Sequence, residues 1–238
     1  PIEPPGLGEI EAAARRLQGT VVRTPLVRLR DQMSNPRILL KPETLQPIGS
    51  FKVRGVGNWA LGLDAADAAK GLSTTSAGNT AQALGYMGQQ LGVSSRSMVP
   101  DNLHAAKRSA IEAYGTELVG VSMTDLMLYM FDELWTAEPY CYLNPWGEPD
   151  MISGHGTIGL EVYEDLPTVD SVFVPVGGGA LISGVAAALK AIKPDVKIYA
   201  VQAEVNSALA AAFTTGGATW IEYNETIVEG ASTPVITH

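Results

Sequence analysis

Short β-branched runs alternate with longer alanine- and leucine-rich runs along most of this chain, and no other feature constrains its fold as tightly. Strand composition marks Arg37–Lys41, Leu72–Thr75, Ser95–Val99, Glu117–Val121, Ser171–Val176 and Lys197–Gln202. Helical pattern marks Glu9–Leu17, Phe51–Leu63, Thr80–Leu91, Leu103–Tyr114, Thr124–Thr136, Ile158–Asp165, Leu181–Ile192 and Ser207–Phe213, several of them opening after Ser, Asn or Asp at a capping position. That order predicts an α/β fold in which a mostly parallel sheet is flanked by helices. The Pro- and Gly-rich stretch Glu138–Gly156, with a second break near Leu63–Lys70, predicts a chain that crosses between two lobes. Residues 1–65 and 147–238 then form a large lobe and residues 66–146 a small one, each around its own twisted sheet, with a ligand cleft between them.

Charge narrows the partner. Sixteen basic residues against 25 acidic ones give a formal net charge of −9, which lacks the basic footprint of a nucleic-acid binder. A small molecule is the expected ligand. The single cysteine, Cys141, permits no intrachain disulfide and no zinc site built on paired cysteines, so a reducing, cytoplasmic setting fits. Pro1-Ile2-Glu3-Pro4-Pro5 has none of the basic-then-apolar character of a secretory leader. The uncharged run Val172–Leu189 approaches the length of a membrane span, but Pro175 and four glycines divide it. Its β-branched first half and alanine-rich second half read as strand, turn and helix, and no membrane partner is expected.

Three stretches carry candidate chemistry. In Pro47-Ile48-Gly49-Ser50-Phe51-Lys52, Gly49 permits a sharp turn, Ser50 can cap the next helix, and Lys52 falls in its first turn. The positive end of the helix dipole there favours the neutral amine, the form that attacks an aldehyde or takes a proton. Ser76-Ala77-Gly78-Asn79-Thr80 offers small hydroxyls and backbone N–H groups at a helix start, which suits a carboxylate or phosphate oxygen. Gly177-Gly178-Gly179-Ala180, between a strand and a helix, leaves the backbone bare to wrap a phosphate. Neither the dinucleotide G-x-G-x-x-G spacing nor the Gly-Lys-Ser/Thr of a P-loop is present, which leaves a lone phosphate as the guest. Separately, a surface lysine, a capped turn and a glycine-rich turn would look the same. Together they point to an aldehyde cofactor bearing one phosphate.

The strings Lys41-Pro42-Glu43, Pro47 to Gly55, Ser76-Ala77-Gly78-Asn79, Asn144-Pro145-Trp146, Gly154-His155-Gly156-Thr157-Ile158-Gly159-Leu160-Glu161 and Val174 to Leu181 resemble, in order, the motifs of the fold-type II pyridoxal-phosphate enzymes. The likeness is greatest to the threonine/serine dehydratase and serine racemase branch, and Val53 after the lysine leans toward the dehydratases. The resemblance implies a two-lobed fold with pyridoxal 5'-phosphate in the cleft, a homodimer, and Lys52 joined to the cofactor as a Schiff base. It implies that Phe51 packs by the pyridine ring and that Asn79 bonds its 3′-oxygen. Ser76, Ala77 and Gly78 would then seat the substrate carboxylate, the N–H groups of Gly177, Gly178, Gly179 and Ala180 would hold the phosphate, and Arg54 would be structural. It also implies that family members continue past the equivalent of His238 into a stretch carrying the serine or cysteine that faces the pyridine nitrogen.

Several positions depart from the family pattern. Thr80 stands where histidine is frequent, His155 where glutamine is usual, Trp146 where phenylalanine is common, and Ala180 in place of a fourth glycine. Gln202 occupies the place of a cation-binding glutamate, so no metal is expected. The implied reaction is β-elimination of a hydroxy amino acid such as L-threonine or L-serine to a 2-oxo acid and ammonia, with Lys52 taking the α-proton and the cofactor phosphate protonating the leaving hydroxyl. Two alternatives stay open: a racemase, with Ser76 as the second acid or base, and a binding protein without turnover.

Overall fold

The computed structural model describes residues 3–29 and 38–236. The elements run α1 (Leu7–Arg16), β1 (Val27–Arg28), β2 (Leu39–Leu40), α2 (Lys52–Gly62), α3 (Ala65–Ala69), β3 (Leu72–Thr75), α4 (Asn79–Leu91), β4 (Ser95–Pro100), α5 (Ala105–Glu112), β5 (Glu117–Val121), α6 (Met123–Phe131), β6 (Cys141–Leu143), α7 (Pro149–Asp165), β7 (Ser171–Pro175), α8 (Ala180–Ile192), β8 (Lys197–Val201) and α9 (Ala208–Thr215). Four strands form a wholly parallel sheet in the order β5-β4-β3-β6, β7 pairs in parallel with β8, and β1 and β2 form a short antiparallel ribbon. The α/β class read from the alternating composition is therefore the class observed. Of the strand expected at Arg37–Lys41, the described part is Leu39–Leu40, and Arg37 lies outside the described residues. The uncharged run from Val172 divides into β7, the glycine turn and α8; no helix among the described residues is long and apolar enough to cross a membrane.

The stretch Glu138–Gly156 is more regular than its composition predicts. It holds β6, paired with β3, and the first half of α7, which begins at Pro149 instead of near Ile158. Pro149 sits in the first helical turn, where its missing N–H removes nothing, and the Glu148 carboxylate accepts from the Asp150 N–H. The glycines within α7 make room for neighbours. A Cβ on Gly154 would lie 2.3 Å from the Arg54 carbonyl oxygen of α2, one on Gly156 2.9 Å from Ile10 of α1, and one on Gly159 2.9 Å from Ala188 of α8. Gly184 of α8 answers from the other side, its Cβ falling 2.3 Å from the Ile152 carbonyl. Three helices thus close on α7 where glycine leaves room; a side chain at Gly154, Gly159 or Gly184 meets backbone and one at Gly156 displaces the Ile10 side chain, at a cost of about 1–3 kcal/mol each.

Two apolar cores follow from this packing. One joins Val53, Val56 and Trp59 of α2 to Leu72 of β3, Leu84 and Met87 of α4, and Leu143 of β6. The other joins Ile158 and Val162 of α7 to Val174 of β7 and to Val185 and Leu189 of α8. Because α2 packs on α4 as well as α7, the segment carrying Lys52 is fixed from both sides.

Behind α2 lies a buried charge cluster. Arg54 has no exposed surface, and its guanidinium donates to Glu43 at 2.7 and 3.1 Å, to Glu161 at 2.7 and 2.9 Å, to the Thr157 hydroxyl at 3.1 Å and to the Val22 carbonyl at 3.1 Å. Lys41 pairs with Glu161 at 2.5 Å, and the Thr24 hydroxyl donates to Glu43 at 2.7 Å. Lys41, Glu43, Arg54 and Glu161 come from three separate sequence motifs, and this cluster ties those motifs together.

Candidate functional site

Lys52 reaches the site because a turn and a helix start coincide. Gly49 takes φ +69°, which lets the chain reverse, and the Ser50 Oγ then accepts from the Lys52 N–H at 3.3 Å. The Lys52 side chain lines a cavity of about 420 Å³, and its Nζ stands 5.3 Å from the centre of the Phe51 ring. Burial lowers the amine from its ordinary value to about 8, by stripping water from the charged form. The helix start predicts a neutral-prone amine, and in the folded protein desolvation makes it so.

The same cavity collects the other two stretches. Thr75, Ser76 and Ala77 enter at the C-terminal end of β3, Met98 and Pro100 at the end of β4, and Gly177, Gly178, Gly179 and Ala180 beyond β7. The carboxyl ends of parallel strands are the usual place for a ligand in an open α/β sheet. Gly179 has φ +99°, a conformation that favours glycine, and the N–H groups of Gly177 to Ala180 make no turn or loop hydrogen bond among the described residues. Ala180 opens α8, so these free donors sit at the positive end of a 13-residue helix.

The Ser76 loop is held from below by Ser97, fully buried on β4. The Ser97 Oγ accepts from the Ser76 N–H at 3.1 Å and donates to the Ser76 carbonyl at 2.7 Å. The Ser76 hydroxyl accepts from the Gly78 N–H at 3.3 Å. Gly78 and Asn79 are not among the cavity's lining residues: Asn79 opens α4 with an exposed side chain whose Oδ1 accepts from Gln82 at 3.3 Å. Of the remaining wall, Pro145 and Trp146 were within the quoted motifs, whereas Leu126, Met127 and Met130 of α6 and Gly230, Ala231 and Thr233 were not. Among the described residues that line this cavity, Lys52 is the only titratable one.

Two departures from the family pattern have clear surroundings. The Gln202 carboxamide donates to the Val176 carbonyl at 3.1 Å and accepts from the Leu209 N–H at 2.9 Å, fixing the strand end that leads into the glycine turn. His155 is fully buried on α7, edge-on to Phe51 with ring centres 5.0 Å apart, and neither ring nitrogen has a hydrogen-bond partner among the described residues. Burial first, then the neighbouring Lys52 and Arg54 cations, push its pKa well below the ordinary 6.5. The folded state therefore keeps a neutral ring, and below about pH 6.5 only the unfolded chain takes up this proton. Stability supplied by the neutral ring is complete above that pH and falls as the pH drops, with a slope approaching about 1.4 kcal/mol per pH unit. Urea denaturation at pH 7.5 and 5.5 checks this: His155→Gln is expected to flatten the loss on acidification, and equal losses in both proteins would exclude His155 as its source.

The residues that meet here suit a phosphorylated aldehyde. A bare loop of unpaired N–H groups faces the same space as a desolvated lysine amine, and Gly178 is already so near Trp146 that a Cβ would lie 3.3 Å from its Cδ1. A family model described as pyridoxal-phosphate dependent enzyme matches residues 17–237. The L-threonine dehydratase catabolic TdcB of Staphylococcus aureus strain N315 is 35% identical over 234 residues, covering 96% of this chain and 67% of that protein. Among solved structures, the threonine deaminase of T.th. superposes with a TM-score of 0.89 at 33% identity, over 98% of this chain and 77% of that one. The serine racemase of Dictyostelium discoideum superposes with a TM-score of 0.87 at 28% identity, over 98% and 75%.

Proposed function

The chain belongs to the pyridoxal-phosphate dependent enzymes, and from that premise we propose that it dehydrates and deaminates a hydroxy amino acid such as L-threonine or L-serine, giving a 2-oxo acid and ammonia. One observation carries the reading: the Lys52 amine, the Ser76–Ala77 loop and the Gly177–Ala180 turn all face a single cavity. Dehydratase relatives at about a third identity support the reaction class.

In this reading Lys52 is the attachment point of pyridoxal phosphate, and Gly177, Gly178, Gly179 and Ala180 hold its phosphate through their N–H groups. The bound cofactor supplies an electron-withdrawing ring system that acidifies the substrate's Cα–H. Phe51 flanks the ring, steadied from behind by His155. Ser76 and Ala77 hold the substrate carboxylate on a loop that Ser97 keeps rigid. Gly78 and Asn79 are assigned the rest of the carboxylate and the ring's 3′-oxygen; for Asn79 this requires its side chain to leave Gln82. Lys52, with its pKa near 8, then takes the α-proton as the neutral amine. Among the described residues, no histidine or carboxylate lines the cavity to protonate the departing hydroxyl.

The division into residues 1–65 with 147–238 and residues 66–146 belongs to the same proposal. It is supported by the four-stranded sheet arising wholly from the second segment and the β7–β8 pair wholly from the first. A homodimer and a cytoplasmic setting complete it, on the family likeness and the single cysteine.

Product analysis with the purified protein and added pyridoxal phosphate is the test. L-threonine and L-serine are expected to yield 2-oxo acid and ammonia in equal amounts. D-amino acid without ammonia would replace elimination by racemisation, and a bound chromophore with neither product would make the chain a binding protein.

A further inference from the structure

A second, almost wholly apolar space of about 270 Å³ lies on the far side of the same wall. It shares Met127, Met130, Trp146, Gly178 and Thr233 with the main cavity and is further lined by Phe131, Trp220, Pro234 and Val235. Among the described residues, every one that lines this annex is uncharged, and in the main cavity the sole ionisable group is Lys52.

The two polar loops restrict where a bound amino acid can place each of its parts. The Ser76 loop takes the carboxylate and the glycine turn takes the cofactor phosphate, so the group on the β-carbon is left facing the rest of the wall, which apart from Lys52, Thr75, Thr80 and Thr233 is apolar. We propose that this remainder, Met127 and Met130 of α6 with the annex behind them, is a specificity pocket for a large apolar β-substituent. On this assignment, which rests on the dehydratase reading, the preferred substrates are serines whose 3-substituent is larger than the methyl of L-threonine, such as 3-arylserines. The overall change balances without any co-reactant. The Cα–H proton and the β-hydroxyl leave as water, the released enamine tautomerises to an imine, and hydrolysis returns that water to give the 3-substituted 2-oxo acid and ammonium. A β-carboxylate, as in 3-hydroxyaspartate, would enter an uncharged pocket with no Lys or Arg to meet it, and such substrates are disfavoured.

The experiment compares kcat/KM of the holoenzyme for L-serine, L-threonine, L-threo-3-phenylserine and 3-hydroxyaspartate. Phenylserine is expected to exceed L-serine by about tenfold or more, the discrimination an apolar pocket gives when it is filled. Val235 lines the annex alone, so Val235→Trp fills it without touching the main cavity. That variant is expected to erase the preference, bringing kcat/KM for phenylserine down to that for L-serine, while the thermal melt stays cooperative. A binding readout independent of turnover uses L-phenylalanine, which has no β-hydroxyl to lose: it should shift the visible absorbance of the holoenzyme at a concentration at least about tenfold lower than Val235→Trp requires. L-serine turnover with no preference for phenylserine, or a preference that survives Val235→Trp, overturns the specificity pocket and leaves the dehydratase reading intact. Absence of 2-oxo acid from every hydroxy amino acid overturns that reading, and the pocket assignment with it.

Discussion

Lys52→Ala is expected to abolish 2-oxo acid formation while leaving the protein folded. Loss of a positioned general base alone costs roughly 10²–10⁴-fold, and Lys52 is also the covalent anchor of the cofactor in this account. Restoring charge does not help: Lys52→Arg places a permanently protonated group where a neutral amine is needed, and its activity should be equally low. Stability should move little, or rise, because the desolvation that lowers the amine to about 8 shows the charged form to be held in the fold at a cost. Steady-state kinetics beside a thermal melt separate the two effects. Alanine at position 52 with more than a tenth of wild-type turnover would place the chemistry elsewhere.

Arg54→Met should give the largest loss of stability in the molecule and act on activity only through the fold. The guanidinium is fully buried between Glu43 and Glu161, and its removal leaves two largely buried carboxylates with Lys41 as the remaining cation of the cluster. Breaking a buried pair in this way costs about 3–5 kcal/mol. For a chain of this size the corresponding fall in melting temperature is on the order of 10 °C. Arg54→Lys should fall between, since a point charge cannot serve both carboxylates through a planar fork. A scan in which Arg54→Met melts within a degree or two of wild type would show that the cluster contributes specificity and not stability.

What could be read from the sequence, and what could not, follows from where each signal resides. The strand, triple-glycine turn and helix from Ser171 to Ile192 are legible because residue type changes abruptly at each boundary, and the structure keeps those boundaries to within a residue. The first half of α7 is not. Pro149, Gly154 and Gly156 look like breakers in one dimension; in three, the proline is at a helix start and the glycines answer to Arg54 and Ile10, which lie far away in sequence.

The site divides in the same manner. Lys52, Ser76, Ala77 and Gly177 to Ala180 were marked by unusual residues at helix starts, and the fold brings them to one cavity. Leu126, Met127 and Met130 carry no such mark, because apolar residues at helical spacing look the same whether they face a core or a ligand. Ser97 escaped notice for a related reason: a serine in a strand gives no sign that its hydroxyl holds the neighbouring loop. Asn79, singled out by resemblance, has an exposed side chain that accepts from Gln82, and its role at the ring's 3′-oxygen stands as a proposal.

The central claim is a covalent one and can be tested chemically, without any substrate. The purified protein is saturated with pyridoxal phosphate, reduced with borohydride, digested and mapped by mass spectrometry. The account predicts a phosphopyridoxyl group on the peptide containing Lys52 and a loss of visible absorbance on reduction. A label on another lysine, or none with the absorbance unchanged, would contradict it.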